Sequence, residues 1–168
     1  MIHIKMNDYQ TAKSYINKLA KYGKQRPDIL RFFVHLGTIY YEIDKYKEAK
    51  DCYNKALNIQ LKIYGEINSD TAKLYMYIGY MSQCLSEYNE AKNNLNKALN
   101  ISLQIHGERH TITADIYLLL ATVSSFSGDL ENAKNHCNKA LQLFEELNGK
   151  DHPDTIKAIK MLNILQQK

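Results

Sequence analysis

Six histidines and three cysteines are the side chains of this sequence best suited to chemistry, and their spacing limits what that chemistry is. His106 and His110 stand four residues apart, the separation at which two ligands on one helix can reach a single metal ion. Gly107 lies between them at an expected helix end, so the two need not share a face, and no metal site is assigned. His152, in KDHPDT, reads as a loop residue that helps start the next helix, with Pro153 and Asp154 as start signals. Cys52, Cys84 and Cys137 are odd in number and form no C-x-x-C pattern, which suits reduced, buried thiols in a cytosolic chain. There is no Gly-rich phosphate loop, no G-x-S-x-G elbow and no H-E-x-x-H. The carboxylates are scattered over expected solvent faces, with no pair placed to perturb one another. A non-enzyme without metal or cofactor is expected.

The bulk composition agrees with a folded soluble chain. Of the 168 residues, 45% are hydrophobic and 24% charged, far from the composition of disorder. The longest apolar runs fall well short of the roughly 20 residues that span a bilayer, and the start MIHIKMNDYQ has no apolar core of signal-peptide length. The expected location is cytoplasmic. The net charge of +4 comes from Lys and Asp/Glu mixed through every segment, which marks a solvated surface more than a nucleic-acid footprint.

The element that must position everything else is a repeat. YKEAKDCYNKALNIQLKIYG (46–65) returns as YNEAKNNLNKALNISLQIHG (88–107) and as LENAKNHCNKALQLFEELNG (130–149), a step of 42 residues. Self-similarity at such a period signals an array of stacked supersecondary units. Within the middle unit Ala72, Tyr75, Ile78, Gly79 and Ser82 form one helical stripe, and Tyr88, Ala91, Leu95, Ala98, Ser102 and Ile105 a second. The break at 85–87 is short, so the two helices must be antiparallel neighbours. Ser86 or Asn89 is the expected N-cap of the second helix, and Gly107 its left-handed C-terminal residue. Glycine inside a helix costs roughly 1 kcal/mol relative to alanine, which is reasonable only where two backbones approach closely. Gly37, Ala49 and Ala56, then Gly79, Ala91 and Ala98, then Ala121, Ala133 and Ala140 therefore mark a small-residue seam in each pair. Tandem pairs of this kind predict an all-α fold, an α-solenoid.

The pattern resembles the tetratricopeptide repeat, whose first helix carries an aromatic, Leu-Gly and Tyr and whose second carries Ala, an aromatic and Ala. The first unit reads Phe33, Leu36, Gly37, Tyr40, Ala49, Tyr53, Ala56; the second Tyr75, Ile78, Gly79, Ser82, Ala91, Leu95, Ala98; the third Tyr117, Leu120, Ala121, Ser124, Ala133, Cys137, Ala140. The usual period is about 34 residues, and the longer step here is similar to the kinesin light chain type. The resemblance implies a right-handed superhelix divided into an outer half-repeat helix (1–26), three repeats (27–68, 69–110 and 111–152) and a terminal capping helix (153–168). Tyr9, Ala12, Ile16 and Leu19 would then lie on a first helix with one face uncovered, which suggests a missing upstream segment or weak self-association through that helix.

In this family the first helix of each pair lines the concave wall, and the resemblance places the partner there. The helical count selects Arg31, Val34, His35, Thr38, Tyr41 and Glu42; Lys73, Met76, Tyr77, Tyr80, Gln83 and Cys84; Asp115, Leu118, Leu119, Thr122, Ser125 and Phe126; and Lys157, Lys160, Met161 and Ile164. Of these, Arg31, His35, Thr38, Tyr41, Lys73, Tyr77, Tyr80, Gln83, Leu118 and Thr122 are the candidate peptide-binding residues. Apolar anchors edged by cations suit a peptide or protein segment of partly acidic character. Relatives that grip a C-terminal carboxylate carry Lys and Asn where this chain has Val34, Thr38, Tyr77, Asp115 and Leu119, which disfavours such a clamp. Kinesin light chains tend to carry Asn where this chain has His35, Tyr77, Leu119 and Met161, so cargo specificity does not carry over. The alternatives are a regulatory array within a longer protein and a nucleic-acid-binding solenoid; for the latter, Glu42 and Asp115 break the basic strip that stacking of bases would need.

Overall fold

A computed structural model describes residues 27–167; the candidate first helix and its self-association surface lie outside the described residues. Among them are seven helices and no strand: α1 (Pro27–Glu42), α2 (Tyr46–Tyr64), α3 (Ser69–Cys84), α4 (Tyr88–His106), α5 (Thr111–Phe126), α6 (Leu130–Asn148) and α7 (Pro153–Gln166). The fold class is an all-α solenoid of tandem helix pairs. The chain divides into two compact units, one ending at Gly65 and one running from Glu66 to Lys168.

In the first unit α1 packs on α2 through the expected seam. A Cβ added to Gly37 would stand 2.7 Å from Tyr53 Cε1, closer than atoms pack, so only glycine lets that ring lie against the helix. Ala49 and Ala56 are fully buried beside it. The Tyr53 hydroxyl reaches Thr38 Oγ1 at 3.3 Å, and Lys55 lies 5.6 Å over the Phe33 ring.

The second unit stacks α3 to α7 in chain order, each helix packing on the next, and α3 also touches α5. The seam recurs with its volumes traded. At Gly79 a Cβ would meet Leu95 Cγ at 2.8 Å; at the corresponding place Ala121 already has its Cβ, and the facing residue shrinks to Cys137, fully buried with Ala133 and Leu165. The cation over an aromatic also recurs, with Lys97 5.3 Å from the Tyr75 ring and Lys139 5.2 Å from that of Tyr117.

The helices stop and start by repeated devices. Gly65, Gly107 and Gly149 have φ of 79°, 76° and 83° with ψ of −176°, −170° and 169°, not the left-handed helical cap expected at Gly107 but an extended positive-φ conformation that essentially only glycine adopts, and each donates its N–H to the carbonyl four residues back. Thr113 and Thr155, both fully buried, donate their hydroxyls to the carbonyls of Gly107 and Gly149 at 3.1 and 2.8 Å. This ties the first turn of an inner helix to the end of the helix before it. At the starts of α3, α5 and α7, the side chains of Asn68, His110 and His152 accept from the N–H two residues on.

Four other local expectations change. The N-cap of α4 is Glu87, with no side-chain bond, not Ser86 or Asn89; Ser86 instead takes φ 61° in the turn, as Asp44 takes 59° and Gly128 takes 86°. The ends of the α4 stripe leave the core, Tyr88 being half-buried and Ile105 exposed. Cys52 and Cys137 are buried, and burial pushes each thiol up to about 11, but Cys84 is only half-buried. His106 and His110 do share a surface: their rings stack at 4.0 Å, because the turn at Gly107 folds one back on the other.

Candidate peptide-binding wall

A helix turns about 100° per residue, so Lys73, Tyr77 and Tyr80 fall within an arc of about 60° on α3. The structure gives that arc surroundings different from those of the seam stripe. Ala72, Tyr75, Ile78, Gly79 and Ser82 are buried, whereas Lys73, Met76, Tyr77, Tyr80, Gln83 and Cys84 are all half-buried. Each tyrosine thus stays partly accessible as a residue, a position that suits an amphipathic side chain. Lys73 makes an exposed ion pair with Asp70 at 3.5 Å, the kind of pair that holds weakly and exchanges readily. Gln83 Oε1 is buried and has no hydrogen-bond donor among the described residues.

On α5 the candidates divide. Thr122 is half-buried; its hydroxyl donates to the Leu118 carbonyl at 2.8 Å and approaches Met161 Sδ of α7 at 3.6 Å. Leu118 is 7% exposed, so it packs in the core and would offer a ligand little surface. Asp115, Leu119 and Ser125 are half-buried, and Phe126 is exposed. On α7, Lys157, Lys160 and Ile164 are exposed and Met161 is half-buried. Burial pushes the Asp115 carboxyl up to about 6, with the nearby Asp154 adding to the rise and Lys157 opposing it.

In the first unit Arg31, His35 and Thr38 are exposed and Tyr41 is half-buried on α1. The Thr38 hydroxyl also donates to the Val34 carbonyl at 3.1 Å.

Two features went unseen in the sequence. One is the His106–His110 stack, in which His106 Nε2 also contacts Ser69 Oγ at 3.0 Å. Burial, with the neighbouring His106 and Lys73, lowers the pKa of His110. The other is a cleft of about 330 Å³ lined by Glu108, Arg109, Tyr117, Lys139, Gln142, Leu143 and Glu146. Its charges face one another, with Arg109 paired to Glu146 at 3.2 Å and Lys139 over Tyr117, which leaves little for a ligand to claim. Among the described residues no group of three His, Cys, Asp or Glu side chains is placed to hold a metal ion, and no helix is long and apolar enough to cross a membrane.

Three family models described as tetratricopeptide repeat match residues 70–133, 30–62 and 113–154. No curated protein matches the sequence significantly. Among solved structures, BtubC (BKLC) from P. vanneervenii superposes with a TM-score of 0.83 at 20% identity, over 97% of this chain and 67% of that one. The nearly identical TPR-like repeats of a Podosopora anserina protein assigned as a kinesin light chain give 0.80 at 15% identity, over 97% of this chain and 78% of that one. The first TPR of Spaghetti (RPAP3), bound in its structure to the HSP90 peptide SRMEEVD, gives 0.63 at 18% identity, over 85% of this chain and 94% of that one. At such identities the likeness is one of fold, while the three matched segments agree with the seam and the 42-residue step: the chain belongs to the tetratricopeptide repeat family.

Proposed function

We propose that this chain is a non-enzymatic interaction scaffold, cytoplasmic in location, that holds a peptide or protein segment against the inner faces of its helix pairs. One observation carries the reading: α3 has a complete buried stripe and, beside it, a separate row of Lys73, Tyr77, Tyr80 and Gln83 that stays half-buried. The bound segment has apolar anchors for the tyrosines and Met161, and acidic residues for Lys73, Lys157 and Lys160. That solved tetratricopeptide structures of similar fold include one with a bound peptide supports this class of function, though not a particular partner.

The test is the double substitution Tyr77→Ala with Tyr80→Ala, read both as melting temperature and as affinity for a partner recovered by pull-down. Aromatic side chains at the centre of a binding face contribute about 2 kcal/mol or more, whereas truncating a core aromatic costs roughly 3–5 kcal/mol of stability. Lost binding with a near-normal melt is the expected result. Unaltered binding, or a collapse of the melt, would sink the assignment of these tyrosines to a site.

A further inference from the structure

We infer that the inner face formed by α3, α5 and α7 reads a charge order in its peptide, acidic then basic then acidic, with Asp115 receiving the basic residue. This rests on the wall reading above and adds the class of ligand.

The step of 42 residues places Lys73, Asp115 and Lys157 at one register position of three successive inner helices. One carboxylate therefore stands between two cations, at a place where the neighbouring repeats both carry lysine. Asp115 is half-buried, and among the described residues no basic side chain lies within ion-pair distance of it and none donates it a hydrogen bond. Lys157 and Asp154 act on it only from farther away. A carboxylate partly withdrawn from water and left unpaired is costly, and nothing in the packing of α5 requires an acid there, since Leu118 and Leu119 show the face accepts apolar side chains. A cation supplied by a partner satisfies it. The flanking lysines are available to acids on the same partner: Lys157 is exposed, and Lys73 is held only by the surface pair with Asp70.

Geometry sets the spacing. Packed helices lie roughly 8–10 Å apart, and a peptide in the polyproline II conformation rises about 3.1 Å per residue with about three residues per turn, so one helix-to-helix step matches about three residues of peptide and every third side chain faces the wall. The complementary sequence is Glu-x-x-Arg-x-x-Glu. Its charge order is the same in both directions, so the prediction does not depend on which way the peptide runs.

The experiment uses the full chain and two fluorescein-labelled peptides, Leu-Glu-Leu-Ala-Arg-Leu-Ala-Glu-Leu and the same peptide with Glu in place of Arg, measured by anisotropy at neutral pH. Wild type is expected to bind the arginine peptide at least tenfold more tightly, Asp115→Asn to bring the ratio close to one, and Asp115→Lys to invert it. Thermal melts establish that the variants fold, and if Asp115→Lys does not, Asp115→Asn decides. Equal affinities in wild type, a preference that survives Asp115→Asn, or no binding of either peptide overturns the charge order. Those outcomes leave intact the dependence of a pulled-down partner on Tyr77 and Tyr80, and it is loss of that dependence that would overturn the wall itself.

Discussion

Asp115 is the residue at which stability and binding pull in opposite directions. Its carboxyl titrates near 6 in the folded chain, against 3.8 for an ordinary aspartate. Between those two values the native state holds more protons than the unfolded state, so stability falls as pH rises through the window and stays lowered above it. The shift is on the order of 1–2 kcal/mol after allowance for partial exposure. Asp115→Asn is therefore expected to raise the melting temperature at pH 7.5 and to give no gain at pH 3.5, with Asp154 and Lys157 left as the charged groups beside it. Equal gains at both pH values would mean the effect comes from packing. A substitution that stabilises the chain while removing its discrimination between peptides is the usual signature of a functional group kept at a cost.

Helix by helix, the sequence was legible where size carries the signal and illegible where backbone direction does. The seam could be read because Gly and Ala at a fixed step have no other explanation, and the structure adds the trade of Tyr53, Leu95 and Cys137 against Gly37, Gly79 and Ala121. Gly79→Ala should destabilise by about 1–3 kcal/mol, and Leu95→Cys in that background should cost less than the same change in wild type, because it recreates the third seam. Strict additivity of the two changes, measured by denaturant unfolding, would show that the residues are not coupled. The caps were harder to read. Ser86 looked like an N-cap because serine often is one, but the turn puts it at φ 61° and leaves the start of α4 to Glu87. His110, to which the sequence assigns no metal, has a local role instead: its Nδ1 accepts from Ile112 N–H at 3.2 Å, which requires that nitrogen unprotonated. Its lowered folded pKa, caused by burial, His106 and Lys73, means its contribution is present above the ordinary histidine value of 6.5 and is lost as pH falls below it. His110→Asn, which copies the cap at Asn68, should remove that acid sensitivity. The loss in wild type should be roughly 1 kcal/mol, the worth of one N-cap, and identical melting profiles for the two proteins between pH 7.5 and 5.5 would refute the role. The helical count picks out the candidate wall as a row of positions but does not fix which members stay accessible: burial of Leu118 beside half-buried Leu119 depends on how α5 is rotated between its neighbours.

At the scale of the whole molecule, the unit from Glu66 to Lys168 is built almost wholly from contacts between consecutive helices, and stability in such an array is a sum of local terms. Damage should stay near its source. Hydrogen exchange on Gly79→Ala is expected to show lost protection in α3 and α4, with the buried core of Cys137, Ala133 and Leu165 largely retained; uniform loss across the unit would show a single cooperative block instead. The traded seam has a further consequence for how such a gene can grow. Because a Cβ at Gly79 would meet Leu95 Cγ at 2.8 Å, whereas Ala121 lies in a cluster with the smaller Cys137, a crossover within a helix pair that set an alanine-bearing first helix against Leu95 would make the two halves collide. A crossover at Gly65, Gly107 or Gly149 keeps each matched pair on one inherited piece. Duplication is thereby confined to whole 42-residue steps, and the three glycines mark the places where copies of the gene segment can be joined without a misfit.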